Sequence, residues 1–234
     1  MAVFLYYPFL QNIINSFMKI RNLGGSARGL NDPIYKNYLK ILTDENVRMA
    51  LKNTVIMIVV TLIGQVGIAI VLAMLVDNIH RGASFFRIVY FFPIVISATA
   101  LGVLFNLIFQ YDGGMLGQLV GAKVKWKELY PLTVMMTPVT WQYVGFYFII
   151  LVTGLNNIPQ ELYESAAIDG ATRWQRIRYI SWPMIHNVVC TCAILAVTGA
   201  LKVFDLPWVM FPNGAPLGKT WLTGTYMYYK TMQS

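Results

Sequence analysis

NTVIMIVVTLIGQVGIAIVLAMLV, residues 53–76, carries no charge from end to end, and its one interior amide is Gln65. A membrane-spanning helix needs about 20 mostly apolar residues at about 1.5 Å of rise each. This stretch meets that length, and three others follow it. Residues 88–110 are uncharged, with Pro93 near their start. Residues 132–155 are uncharged and rich in aromatics, and residues 184–201 are closed by Lys202 and Asp205. A fifth run, residues 1–18, is apolar but short and holds Pro8, Asn12 and Asn15. It lacks the basic leader and small-residue cleavage site of a signal peptide. It reads as the outer part of a spanning helix whose beginning is missing. A Tyr-rich segment, residues 223–234, opens a further helix and stops, so a last span is expected to be missing too.

Composition agrees with a chain that lives in lipid. Of 234 residues, 57% are hydrophobic and 12% are charged. A soluble domain is about 45–50% apolar and about 25% charged. Half the usual charge cannot cover a soluble surface of this length. That excludes a disordered chain and a basic soluble nucleic-acid binder, despite the net charge of +8. Two cysteines, Cys190 and Cys192, exclude a disulfide framework and a Cys-rich metal module. Two apart on a helix, they point to nearly opposite sides and read as packing residues. His80 and His186 lie far apart in sequence, which argues against a His-based metal site. The fold class expected is an all-α polytopic bundle, residues 1–234 forming one transmembrane domain with about five spans visible.

The connections differ in character. Residues 19–52 are polar, hold Gly24, Gly25 and Pro33, and contain a short helix near residues 35–42. Residues 77–87 form a tight basic turn. Residues 111–131 carry Gly113, Gly114 and an alternation of Lys123, Val124, Lys125, Trp126 and Lys127. Residues 205–219 are rich in Pro and Gly. No segment repeats at a fixed period, and no loop is large enough for a separate catalytic domain.

The informative connection is residues 156–183, NNIPQELYESAAIDGATRWQRIRYISWP. Pro159 suits the first position of a helix, where a missing N–H costs nothing. Glu161 and Glu164 fall early in that helix, where its positive end favours carboxylates. The helix runs to about Asp169, and Gly170 supplies a stop at positive φ. Thr172 followed by Gln175 is a capping-box pattern that opens a second helix. This one bears Arg173, Arg176 and Arg178, and Pro183 restarts the chain as a membrane helix. The expectation is two short helices between two spans, with Leu162, Tyr163, Ala166, Ala167, Ile177 and Ile180 free to pack.

These residues resemble the EAA loop of the inner-membrane permease subunits of ABC importers. That pattern is E-A-A, three residues, G, nine residues, then I-x-L-P. Here it reads Glu164, Ser165, Ala166, then Gly170, then Ile180-Ser181-Trp182-Pro183. Ser165 replaces the usual Ala and Trp182 the usual Leu; the larger Trp bears on packing at the membrane edge. The longer string ELYESAAIDGATRWQRIRYISWP looks like the subgroup that imports sugars and oligosaccharides. Residues 50–54, Phe86-Arg87 with Phe92-Pro93, and residues 212–216 also resemble segments of that family.

The resemblance implies a mechanism. Residues 156–183 act as a cytoplasmic coupling loop docked in a cleft of a separate ATPase. Glu164 orients the loop or contacts the ATPase, and Ala166 allows close approach. Asp169 caps local N–H groups or pairs with an Arg, and Gly170 makes the turn; Ser165, Ile180 and Pro183 complete the motif. The implied partners are a second permease subunit, two ATPase subunits, an extracellular solute-binding protein, membrane lipid and a sugar or oligosaccharide, with no nucleic acid. The chain itself would bind no cofactor and perform no covalent chemistry; ATP and Mg belong to the ATPase. The implied location is the cytoplasmic membrane of a bacterium or archaeon. With this loop inside, residues 77–87 are inside too, and residues 19–52, 111–131 and 205–219 are outside. More Lys and Arg then lie outside than inside, against the positive-inside rule. The motif outweighs that count, because the rule weakens for long loops and a missing N-terminal tail is outside the count.

Other signals read more plainly. Residues 214–220 look like a phosphate loop but have three residues between the glycines where four are needed. The Arg-bearing helix is too short and too enclosed by spans for helix-turn-helix DNA binding. A secondary transporter or channel needs ion-coupling carboxylates or broken helices within the spans, and the four charge-free runs argue against one. A membrane scaffold leaves the loop spacing without a reason. For the substrate path, sugars call for hydrogen-bonding groups and aromatic faces. Asn106, Gln110, Trp141, Gln142, Tyr143 and Tyr147 are the candidates, against a role in interhelical packing.

Overall fold

The structure is a computed structural model that describes residues 2–19, 29–76 and 83–232. The basic turn at residues 77–87 and the Gly24-Gly25 stretch fall wholly or partly outside these. The described residues are helical, apart from loops and one isolated bridge between Met18 and Leu30. Helix α1 covers Ala2–Ser16 and α2 covers Lys36–Thr43. Helix α3 runs Glu45–Val76. It begins at Asp44, whose side chain accepts from the Asn46 N–H, and it loosens to π-helix over Thr61–Gly67. Then come α4, Ala83–Val95, and α5, Ala98–Ile108. Two short helices follow, α6 over Met115–Val120 and α7 over Trp126–Leu129. The lysine alternation expected at residues 123–127 thus ends in a helical turn.

Helix α8, Pro131–Asn156, is the axis of the bundle, with Pro131 in its first turn. Helix α9 is Gln160–Ile168. Helix α10 spans residues 173–202, built of Arg173–Arg176, a π-helical Ile177–Ser181 and Trp182–Lys202. Helices α11, Asp205–Met210, and α12, Thr223–Met232, close the chain. Among the described residues, three helices are long and apolar enough to cross a membrane, four if the bent pair α4–α5 counts as one.

Two expectations need correction. The run 88–110 is not one straight span: α4 and α5 meet at 96°. Pro93 removes a backbone donor inside α4. Ser97, extended at φ −61 and ψ 146, then caps α5 by accepting from the Ala100 N–H. Nor does Pro183 restart the chain. Arginine helix and span are one continuous helix, and the π segment just before Pro183 takes up the proline ring that would collide with the carbonyl four residues back.

Lipid is as apolar as leucine, so these helices associate by close packing and by pairing polar groups. Ala69, Ala73, Phe148, Leu151, Cys192 and Ala196 are buried together where α3, α8 and α10 meet. Met57, Leu101, Met135, Ala200 and Leu222 form a second core toward the other end. Cys190 is exposed and Cys192 buried, as their spacing requires. Every unpaired polar group in hydrocarbon is costly, and the buried amides are paired. Asn53 Nδ2 donates to the Lys219 and Trp221 carbonyls at 2.8 and 2.9 Å. Gln65 Nε2 donates to the Val139 carbonyl at 3.0 Å, and Gln142 Nε2 to Ile96 at 3.3 Å. That last bond satisfies a carbonyl released by the α4–α5 bend.

Candidate functional site: a two-helix loop and a cavity at the bundle axis

Helix α9 hangs from the end of α8. Pro159, expected as the first helical residue, is instead its cap, and the helix begins one residue later at Gln160. Among its residues only Tyr163 and Ala166 are not exposed. Glu164 Oε1 accepts from Gln160 Nε2 at 2.9 Å, one helical turn back. This fixes the carboxylate on the exposed face. Ser165 and Ala166 give their carbonyls to the turn: Asp169 N–H donates to Ser165 and Ala171 N–H to Ala166, at 3.0 and 2.9 Å. Asp169 is the last residue before that turn, and no arginine among the described residues forms an ion pair with it.

Gly170 has φ +74, a conformation that strains any residue with a Cβ. Thr172 and Gln175 then form the reciprocal capping box read from their spacing. Ile180 packs against the core cluster of α3, α8 and α10. Pro183 lies in the first turn of the regular part of α10.

The turn leaves two large apolar side chains in the open. Ile168 is 87% exposed and Trp174 is 73% exposed. Neither residue was singled out from sequence. The signal lies in the sequence itself: an isoleucine and a tryptophan flank the glycine turn. Behind the tip, between α9 and the root of α10, lies a cleft of about 460 Å³ bordered by Tyr163, Glu164, Arg173, Arg176 and Ser181.

A second cavity, of about 320 Å³, opens among α3, α8 and the end of α10. Gln65, Gln142, Tyr143, Phe146 and Tyr147 line it, with Lys202 and Asp205 at one end. Of the six residues proposed for a substrate path, Gln142, Tyr143 and Tyr147 face this space. The other three do not. Asn106 Oδ1 accepts from Lys127 Nζ at 2.5 Å. Gln110 is exposed just beyond α5. Trp141 lies edge-on to Phe105 at 5.8 Å and borders a separate apolar groove between α3, α4 and α8. The π-helical turn adds Gln65, which the sequence presented only as an interior amide. Lys127, on α7 outside the spans, is half-buried over the Phe211 ring. Burial pushes its ammonium pKa below the usual lysine value.

Comparison with known proteins places this architecture. Residues 65–233 match the family described as binding-protein-dependent transport system inner membrane component. A probable ABC transporter permease of Bacillus subtilis is 28% identical over 97% of this chain and 80% of its own length. The lactose transport system permease of Rhizobium radiobacter is 28% identical over 99% of this chain and 79% of its own. The diacetylchitobiose uptake permease of Streptomyces coelicolor is 30% identical over 94% of this chain and 66% of its own. Among solved structures, a bacterial ABC transporter that imports the polysaccharide alginate superposes with a TM-score of 0.84 at 20% identity. It covers 99% of this chain and 80% of that one. With the matched family spanning most of the chain, and the turn at Gly170 and the helix through Pro183 built as described, the protein belongs to the binding-protein-dependent transport system inner membrane component family.

Proposed function

We propose that this chain is a permease subunit of an ATP-driven importer for a sugar or oligosaccharide, in a bacterial or archaeal cytoplasmic membrane. It works with a second permease subunit, two ATPase subunits and an extracellular solute-binding protein. It forms half of the translocation path and hydrolyses nothing itself; ATP and Mg are held by the ATPase. The observation that carries this reading is the loop of residues 156–183. A short helix is suspended between two spans, with Glu164 held by Gln160 at the edge of the cleft behind it. Ile168 and Trp174 stand uncovered at its tip. An ATPase cleft that covers those two side chains gains apolar burial worth about 1.5–3 kcal/mol apiece. The carbohydrate assignment is supported by the lactose and diacetylchitobiose relatives. A cavity offering Gln65, Gln142 and Tyr143 beside Tyr147 and Phe146 suits a ring with hydroxyls on its rim and C–H on its face.

Co-purification of the full-length protein tests this directly. An ATPase and a solute-binding protein are expected with it, and their absence under conditions that hold the permease folded would end the proposal. At finer grain, Glu164→Lys is expected to cut ATPase retention in a pull-down by about tenfold, since a reversed charge in a partly desolvated contact costs more than about 1.4 kcal/mol. Glu128→Lys, on α7 and assigned to the outside, should leave retention unchanged. Equal retention by the two variants would count against the docking site and the topology together.

Orientation has its own test, because the arginine and lysine count opposes the motif. In a Cys190→Ala/Cys192→Ala background, single cysteines replace Arg176 or Lys125. A membrane-impermeant thiol reagent added to intact cells should label position 125 and spare position 176. Helix α8 separates them, and only an internal residue 156–183 loop meets an ATPase. Reversed labelling would overturn the coupling reading.

A further inference from the structure

We infer that Tyr163 and Ser181 form a clasp that ties the coupling helix to the point where the regular part of span α10 begins, and that this clasp sets how tightly ATP turnover is tied to transport. The inference rests on the coupling reading above and adds to it the pair of atoms that carries the motion.

Two routes join α9 to the membrane part of α10. The covalent route is soft. It passes through Gly170 at φ +74, one capped turn of helix from Arg173 to Arg176, and then the π-helical Ile177–Ser181. A π segment is a wider, less regular turn and a frequent point of bending. Motion applied to α9 and passed along that route alone is partly absorbed before it reaches Trp182.

The second route is short. Tyr163 is one of only two residues of α9 that are not exposed, and its ring packs with the core cluster of α3, α8 and α10. Its hydroxyl meets Ser181 Oγ at 2.9 Å. Ser181 is 3% exposed and is the last residue of the π segment. The contact therefore joins the chain at the far end of the soft stretch, one residue before the regular helix begins at Trp182. Whichever hydroxyl donates, the bond is part-buried at the wall of the cleft, and losing the tyrosine hydroxyl takes a partner from the buried Ser181. Ser181 occupies a motif position that carries no charge and no prescribed identity, and its burial is the structure's own contribution.

The test uses the complete importer, permeases, ATPases and binding protein together, in proteoliposomes. Tyr163→Phe keeps the ring and removes the hydroxyl; Ser181→Ala removes the other half. Each is expected to raise the ATP hydrolysed per solute transported by about threefold to fivefold, the factor set by one net hydrogen bond. ATPase retention should stay at the native value, and the thermal midpoint should fall by no more than the ~2–4 °C that one hydrogen bond costs in a chain of this size. The double variant should be no worse than either single one, and Ser181→Thr should restore the native ratio. A merely structural role would move the midpoint and leave the ratio alone. An unchanged ratio in both single variants, or effects that simply multiply in the double variant, would overturn the clasp. Failure of the native chain to retain an ATPase would instead overturn the coupling reading beneath it.

Discussion

Gly170→Val is expected to insert normally, keep its ATPase bound and lose about tenfold in substrate-stimulated ATP hydrolysis. The turn needs φ +74 at this position. No atom lies within 4 Å of where a Cβ would stand, so the cost is purely one of backbone conformation. A left-handed residue with a Cβ costs about 1–2 kcal/mol, and a β-branched one stands at the upper end. The chain relieves that strain by opening the turn. That loses the Ala171 N–H bond to Ala166 and the Gly170 N–H bond to Ala167. Helix α9 then no longer keeps a fixed angle to α10, and closure of the ATPases moves the loop without moving the span. Each 1.36 kcal/mol misdirected in this way is a factor of ten in rate. Gly170→Asn is the control, because asparagine tolerates the left-handed region. ATP hydrolysis in proteoliposomes, with and without solute-loaded binding protein, reads the effect. Normal stimulation by the valine variant would show that the turn carries no load.

Gly145→Ala should be the most damaging single methyl in the chain. At this point α8 and α4 cross backbone to backbone. A Cβ on residue 145 would overlap the Tyr90 carbonyl and crowd the Phe91 nitrogen. Those are main-chain atoms, so no rotamer change relieves the contact and the helices have to part. Parting them also separates Tyr90 from Phe148, now edge-on at 5.3 Å. Overpacking a dense interior costs about 1–3 kcal/mol and more where backbone must move. We expect a sharp fall in monodisperse yield from detergent and a drop of several degrees in thermal midpoint. Gly199→Ala is the counterpart: its added methyl meets nothing within 4 Å and it removes helix-breaking freedom, so it should be neutral or slightly stabilising. An unaltered midpoint for Gly145→Ala would mean that the two helices lie farther apart than the structure has them.

The sequence spoke most clearly where one residue type has one physical use. Residues 132–155, uncharged and led by Pro131, became α8 with bounds shifted by one residue at each end. Thr172 and Gln175 made their box, and Gly170 its turn. Hydropathy sums over a window and is blind to direction, so residues 88–110 scored as one span. The bend inside that run comes from Pro93 and the capping hydroxyl of Ser97, two local facts that a mean conceals. The π segments were equally hidden. One ends just before Pro183 and the other surrounds Gln65, and a hydropathy mean registers neither. The cavity followed from them: Gln142 and Tyr143 were legible as polar groups at membrane depth, but Gln65 joined them only through a widened turn. Trp141, one position from Gln142, faces the other way. A helix turns about 100° per residue, and no list of polar residues reveals which way its axis is rotated.

The 96° bend after α4 has a consequence for the membrane itself. Helix α4 has 13 residues, so it reaches about 20 Å, against a hydrocarbon core of about 30 Å. Beyond Val95 the chain turns sideways into α5, leaving roughly a third of the bilayer thickness unspanned at that place. Lipid tails have nothing there to lie along. Were α4 to stand along the bilayer normal, the leaflet beyond it would have to thin around the bend or yield to water, with the Ile96 carbonyl held by Gln142 at the turn itself. A solute reaching the bend along that water would stay hydrated below the headgroups, and the barrier left for it would be the shorter distance beneath the bend.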